Sequence, residues 1–466
     1  MANDDIELTE EITEFMGSVR YESLPQEMIE LGKTHILDSI ACGIAGAKSQ
    51  AAKIALDYLE NGGGALGSST VIGAPVRLAP RFAAFINGLS MHADDFDDTG
   101  PQPSSARNGG IHATVPILSV LLALSEEKKS TGREIITALH TGVEITCKLN
   151  HASNEEHYRR GYHSTATIGM FGTTAAAALC LGLNKEQQAT ALNIVSSQSS
   201  GLRLNFGSMM NPFHAGHVAE CAIVSTELAR RGFTASKKML EHPEIGFLKA
   251  TGGTFDADAI MNKLGKPWAF IDPGMWIKPY PCGALTHPAL TALIDLTIRE
   301  NIMPEKIKSV KVQTNRNLVN TLIHNRPTIA LQAKFSMPFA VAIAIKRRRA
   351  SLGDYTDEVV NEPMIQELIK KVEFTAYDKR EENYTNVTTL IQVELTDGHH
   401  FEIRADFGKG NPRNPMRFDD VSEKFLGCAD FAGWSTKRAN DIIEFIRSFD
   451  KIDNICKLTA LLRPTP

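Results

Sequence analysis

The chain has 466 residues, of which 43% are hydrophobic and 22% charged, and its formal net charge is -5. That length exceeds what one apolar core organises, so two domains are expected, and the composition excludes a disordered chain. The acidic balance excludes a protein-wide positive field, so neither nucleic acid nor a membrane surface is an expected partner and an anionic ligand must be held by local cations.

The first residues, Met1 to Glu11, are acidic and have neither the basic start nor the apolar stretch of a secretory signal. Apolar runs such as Val115 to Leu124 fall short of the roughly 20 residues that cross a bilayer, so no span and a cytoplasmic location are expected. The seven cysteines are scattered, without a C-x-x-C pair, which fits a reducing compartment and argues against structural zinc or an iron–sulfur cluster.

Up to about residue 265 the apolar residues recur at three- and four-residue spacing, as in Met28-Leu31-Ile36-Ile40-Ile44. Similar stretches run over 80–91, 116–124, 135–149, 173–181 and 215–231, which predicts a large helical domain. Gly62 to Gly67 matches G-x-G-x-x-G, but it follows a helix and leads into a short Thr70-Val71-Ile72 strand, the reverse of the dinucleotide context, so it reads as a linker turn. After Pro267 the period changes to two in Ile307 to Gln313 and Thr388 to Leu395, and Asp397-Gly398 predicts a hairpin into His400-Phe401-Glu402-Ile403. Helical segments around 338–349 and 364–372 lie between these strands, and 421–462 is helical again. The expected fold is mainly α, with residues 1–267 and 408–466 forming a helical domain and 268–407 an α+β lid.

The densest chemical signal is Met91-His92-Ala93-Asp94-Asp95-Phe96-Asp97-Asp98-Thr99 at the end of an apolar helix, where clustered carboxylates work against stability. It reads as a solvated acidic loop, as a magnesium site of Asp94, Asp95 and Asp98 in an all-helical terpene synthase, or as an aspartate in a cleft that orients a histidine. Gly109-Gly110-Ile111-His112 enters another helix and makes His112 a candidate neutral base, against the reading of a surface histidine on a loop. Arg159-Arg160-Gly161-Tyr162-His163-Ser164-Thr165 offers cations, a phenol, an imidazole and hydroxyls to a carboxylate. Lys278, between an apolar stretch and two prolines, either snorkels outward or meets an anion in an interdomain cleft. Lys346 to Arg349 ends an apolar helix, where cations suit the dipole.

These motifs resemble the MmgE/PrpD family. Asn87 to Thr99 follows its N-G-x-x-x-H-A-x-D-F-D-D-T pattern with one substitution, and Gly161-Tyr162-His163, Lys278-Pro279-Tyr280-Pro281-Cys282, Thr286-His287-Pro288, Ala333-Lys334-Phe335-Ser336 and Arg413-Asn414-Pro415-Met416 also match. The resemblance implies a homodimer that uses no metal or organic cofactor, with a cleft between the domains that takes a small polycarboxylate. It places functional residues at Asp95, Thr99, His112, His163 and Lys278. Tyr162, Arg203, Asn211, His214 and Tyr280 are further candidate substrate-binding groups. Two departures stand out: Asn211 occupies a position where many relatives carry lysine, and the loop from Thr99 to His112 is longer than in the family's decarboxylase.

The expected chemistry is removal of a hydrogen next to a carboxylate, with Lys278 and Thr99 meeting the charge that develops, His163 or His112 as base, and Asp95 orienting the base or returning a proton. The missing cation at Asn211 favours an epimerase of a dicarboxylate such as iminodisuccinate. The alternatives are a dehydratase of a 2-methylcitrate-like hydroxy acid, a cis-aconitate decarboxylase, and a scaffold protein that uses the same cleft without turnover.

Overall fold

The computed structural model describes residues 7–100 and 110–464. It is mainly α, with a smaller α+β domain, in line with the sequence. Helices Gln26–Gly46, Pro80–His92, Thr114–Lys128, Gly132–Ala152, Gly169–Leu181 and Met210–Arg230 pack around largely apolar interiors. Small residues allow this. A Cβ on Gly172 would stand 2.1 Å from the carbonyl oxygen of Gly142, so these two helices cross backbone to backbone. A Cβ on Gly216 would stand 2.4 Å from the carbonyl oxygen of Phe85, and this second close crossing brings the end of Pro80–His92 against the start of Met210–Arg230.

Ser164–Leu181 differs from expectation in being long and apolar enough, by composition, to cross a bilayer. Within the fold 83% of it is buried, because it is the central helix that its neighbours pack around, and its alanines and glycines serve that role. The seven cysteines are all free thiols.

A separate apolar core lies within residues 282–395. Its sheet runs in the order Val372–Ala376, Ile307–Thr314, Thr389–Leu395, His400–Ala405, with the first pair parallel and the others antiparallel. Val310, Val312, Ile391 and Val393 are buried together with helices Met337–Arg347 and Pro363–Lys370, as their period of two requires. Val372–Ala376 is a strand that the sequence reading missed, since the helical pattern expected to reach Val372 stops at Lys370. Five residues carry no clear period, and this strand is specified by its parallel partner over fifty residues earlier in the chain. The strand expected at Thr70-Val71-Ile72 is Leu66–Thr70, because the Asn87 side chain takes the Ile72 N–H and the Thr70 carbonyl.

Helices Phe418–Phe431, Thr436–Arg447 and Cys456–Leu461 return to the first body, where Val421, Phe425 and Ile442 share a core with Met28, Ile36 and Ile40. The Lys346 to Arg349 cluster is spent within its own domain, with Arg347 on Glu362 and Arg349 on Asp354 at 3.3 Å.

Candidate active site

The acidic turn begins where helix Pro80–His92 ends. Asp95 adopts a left-handed backbone, φ 50°, which aspartate tolerates better than most side chains and which here turns its carboxylate inward. Thr99 then pairs with Trp276 through two backbone hydrogen bonds of 2.9 Å, and this bridge lays the turn beside the segment that carries Lys278.

The four aspartates are divided among different partners. Asp94 pairs with Lys334 at 2.8 Å, Asp95 with Lys278 at 2.6 Å, and Asp98 with His35 at 2.5 Å. Asp97 lies between two imidazoles, accepting from His92 Nδ1 and His112 Nδ1, each at 2.9 Å. Each carboxylate thus has a different protein partner, which removes the diphosphate-magnesium arrangement of a terpene synthase. Atoms of His92, Asp95, Asp97 and His112 lie within 4.8 Å of one another, a spacing that could hold a metal ion. The cationic partner there is already supplied: Lys278 occupies Asp95 and imidazole N–H groups occupy both oxygens of Asp97.

Burial works to raise the Asp97 pKa, but His92 and His112 outweigh it and hold the carboxyl well below its ordinary range. An ionised carboxylate only accepts, so both histidines carry their protons on Nδ1, and a neutral ring in that tautomer has its lone pair on Nε2. The His92 lone pair meets Asn211 Nδ2 at 3.5 Å, whereas His112 Nε2, among the described residues, faces Asp95 Oδ1 4.0 Å away. His112 is also fixed by its backbone N–H, which donates to the Thr165 hydroxyl at 3.0 Å. On another wall, His163 Nδ1 and His214 Nδ1 stand 3.0 Å apart, one donating and one accepting. Burial, then the neighbouring imidazoles, push the His163 pKa well below its usual value, and burial lowers that of His214 to about 4, so both rings are neutral.

Asp95, Thr99, His112, His163, Asn211 and Lys278 line one cavity of about 80 Å³, together with His92, Tyr158, Thr321, Phe206 and Phe335. Phe206 from the helical body and Phe335 from the α+β domain stack across it, with ring centroids 5.7 Å apart. Lys278, 1% exposed, does not snorkel; its ammonium also donates to the Asp95 carbonyl at 2.9 Å.

Four candidates lie off the cavity wall. His214 acts from behind His163. Arg203 lies over the Tyr158 ring at 4.6 Å and bonds the Tyr158 carbonyl, so it braces a wall residue. Tyr162 stacks on His157, and Tyr280 turns its hydroxyl to Thr291 at 3.3 Å within the α+β core. Asp95, expected to orient a histidine, is engaged by Lys278, and Asp97 holds the imidazoles instead. Sequence reasoning quoted His92 and Asp97 in a motif without giving them a role, and it missed Tyr158. Only the return of the chain after Asp95 pairs the first two, but Tyr158 stood one residue from the Arg159-Arg160 signal. Gly109, part of the motif read around His112, falls outside the described residues.

Profiles of known families match both bodies, with the MmgE/PrpD N-terminal domain over residues 10–259 and the MmgE/PrpD C-terminal domain over 280–451. The chain belongs to the MmgE/PrpD family. Among its relatives, the cis-aconitate decarboxylase of Homo sapiens is 26% identical over 98% of this chain and 95% of that protein. The cis-aconitate decarboxylase of Aspergillus terreus is 24% identical over 98% of this chain and 96% of its own length. The 2-methylcitrate dehydratase of Escherichia coli K12 is 23% identical over 81% of each. As an MmgE/PrpD protein with enzymes for relatives across nearly its whole length, the chain is an enzyme of the isomerase or lyase kind that this family contains.

Proposed function

We propose that this enzyme is a lyase acting on a small polycarboxylate, a dehydratase of a hydroxy acid, that begins by removing a proton from the carbon next to a carboxylate. The observation that carries it is ionised Asp97 fixing the His112 tautomer beside a buried Lys278 on one cavity. Such a hydrogen is a very weak acid, so the step needs a base with a free lone pair and a fixed cation at the oxygens that take up charge. His112 Nε2 is the base. Lys278 and the Thr99 hydroxyl receive the carboxylate, which displaces the Asp95 carboxylate from the ammonium. In the tautomer in which His214 donates, His163 keeps its proton on Nε2 and holds the departing hydroxyl by a hydrogen bond, the imidazolium formed at His112 returns its proton to that hydroxyl, and water leaves.

The names of the relatives support elimination or loss of carbon dioxide over the epimerisation favoured by the sequence reading. One observation speaks for an epimerase as a second reading: two imidazole systems, His112 and His163, border the same cavity, as a two-base inversion of a dicarboxylate such as iminodisuccinate requires. The purified enzyme in heavy water, given 2-methylcitrate, cis-aconitate or iminodisuccinate in turn, separates the outcomes. Dehydration yields an alkene from the hydroxy acid, decarboxylation yields carbon dioxide, and epimerisation yields deuterium at the α-carbon with no loss of water. Deuterium exchange alone, without alkene from any hydroxy acid, would sink the dehydratase reading.

A further inference from the structure

Behind the cavity a second buried lysine reaches into the same two segments from the far end of the chain. Lys424 lies on helix Phe418–Phe431, which packs on helix Gln26–Gly46. Its ammonium donates to Asp38 Oδ1 at 2.6 Å, to the Phe96 carbonyl at 2.6 Å and to the Lys278 carbonyl at 2.9 Å, and it stands 3.7 Å from the centre of the Phe96 ring. All three protons of the ammonium are therefore assigned. Two of the acceptors are backbone oxygens of the strips that carry the reacting groups: Phe96 joins Asp95 to Asp97, and Lys278 bears the cavity's ammonium.

Those strips otherwise meet through the Thr99–Trp276 bridge and the Lys278–Asp95 pair itself. The bridge ties one end of the contact, and Lys424 ties the other. Asp38 supplies the counter-charge that lets the ammonium stay buried, and the pair sits at 4% and 0% side-chain exposure. Burial raises the Asp38 pKa to about 6 even with Lys424 beside it, which shows how little solvent reaches the hub.

We infer that Lys424, held by Asp38, is a positioning residue for the reaction proposed above: it sets the spacing between the Lys278 ammonium and the Asp95–Asp97 turn without touching substrate. The inference rests on that functional reading for its kinetic consequence but not for its geometry. Lys424→Met alone would leave the Asp38 carboxylate buried without a partner, and a variant that fails to fold would show nothing. The deciding protein is therefore the full chain with Lys424→Met and Asp38→Asn together, which removes the stranded charge and keeps both carbonyls without their donor. It is expected to melt within about 3 °C of the parent and to bind propane-1,2,3-tricarboxylate, an unreactive tricarboxylate, within about threefold of the parent, while kcat falls roughly 10- to 100-fold. Its crystal structure should show the Lys278 ammonium drawn away from Asp95. Parental kcat in the double variant, or a Lys278–Asp95 contact unchanged from 2.6 Å, overturns the inference. A parent enzyme inert on every polycarboxylate would instead defeat the functional reading, and the crystal comparison would still decide the positioning role.

Discussion

Lys278 and Lys424 are both buried lysines paired to an aspartate at 2.6 Å, yet their surroundings differ. The Lys424 ammonium has a protein acceptor for each of its three protons, so it works as a fastener. Lys278 opens onto a cavity, while both aspartate partners, Asp95 and Asp38, keep one buried oxygen without a hydrogen bond. A buried ion pair by itself is weak evidence for either stability or catalysis. What separates the two cases is the ammonium: one is spent on three protein acceptors, and the other borders a cavity where a further anion can meet it.

Mutation should pull the two lysines apart. Lys278→Met is expected to lower kcat by about 10³-fold with the fold intact, measured as steady-state rates beside circular dichroism. Asp97→Asn should cost about 10²-fold, because the amide can donate to one imidazole and reverse its tautomer; the loss should appear in kcat, with KM little changed. Lys424→Met alone should act mainly on stability, by about 3–5 kcal/mol in urea unfolding, since it strands Asp38 where no water can reach. A larger stability loss at Lys278 than at Lys424 would break the comparison.

A gentler probe is acid. Burial lowers His140 to about 3 and His157 and His214 to about 4, all from 6.5, so the folded state binds fewer protons than the unfolded one between those values. The stability held by these neutral rings is complete above about pH 6.5 and declines as pH falls, by roughly 1–2 kcal/mol apiece on reaching about pH 5. Asp38, raised from 3.8 to about 6, works in the opposite direction and offsets about one of them. Melting temperatures recorded from pH 7 to pH 5 should therefore decline; a flat profile would mean the histidines are not buried as neutral rings. The smallest effect is expected at Tyr280→Phe, which removes a hydroxyl bonded to Thr291 away from the cavity and should leave kcat/KM within about threefold.

Elements whose cause is local were legible in the residues. The helices of the first body and the hairpin at Asp397-Gly398 follow from period and turn chemistry, and Asp95, His112, His163 and Lys278 stood out because their charge or imidazole was misplaced for a bland reading. What could not be read depends on distant chain. Asp97 takes its role from helix geometry that carries His92 back beside His112, and Lys424 carries no signal in Ser422-Glu423-Lys424 until its helix meets Gln26–Gly46. Tyr280 follows the same rule: it lies two residues from Lys278 in sequence, but its hydroxyl is directed to Thr291 on a later stretch of chain.

The stacked rings of Phe206 and Phe335 carry a mechanical consequence. One plate belongs to the helical body and the other to the α+β domain, so a change in the spacing of the two domains beside the cavity would part them. A polycarboxylate entering between the domains would part these plates, and the tempo of its capture and release would follow that hinge-like event. A smaller side chain at Phe335 should quicken both, and added viscogen should slow both, without altering how the imidazoles handle the proton.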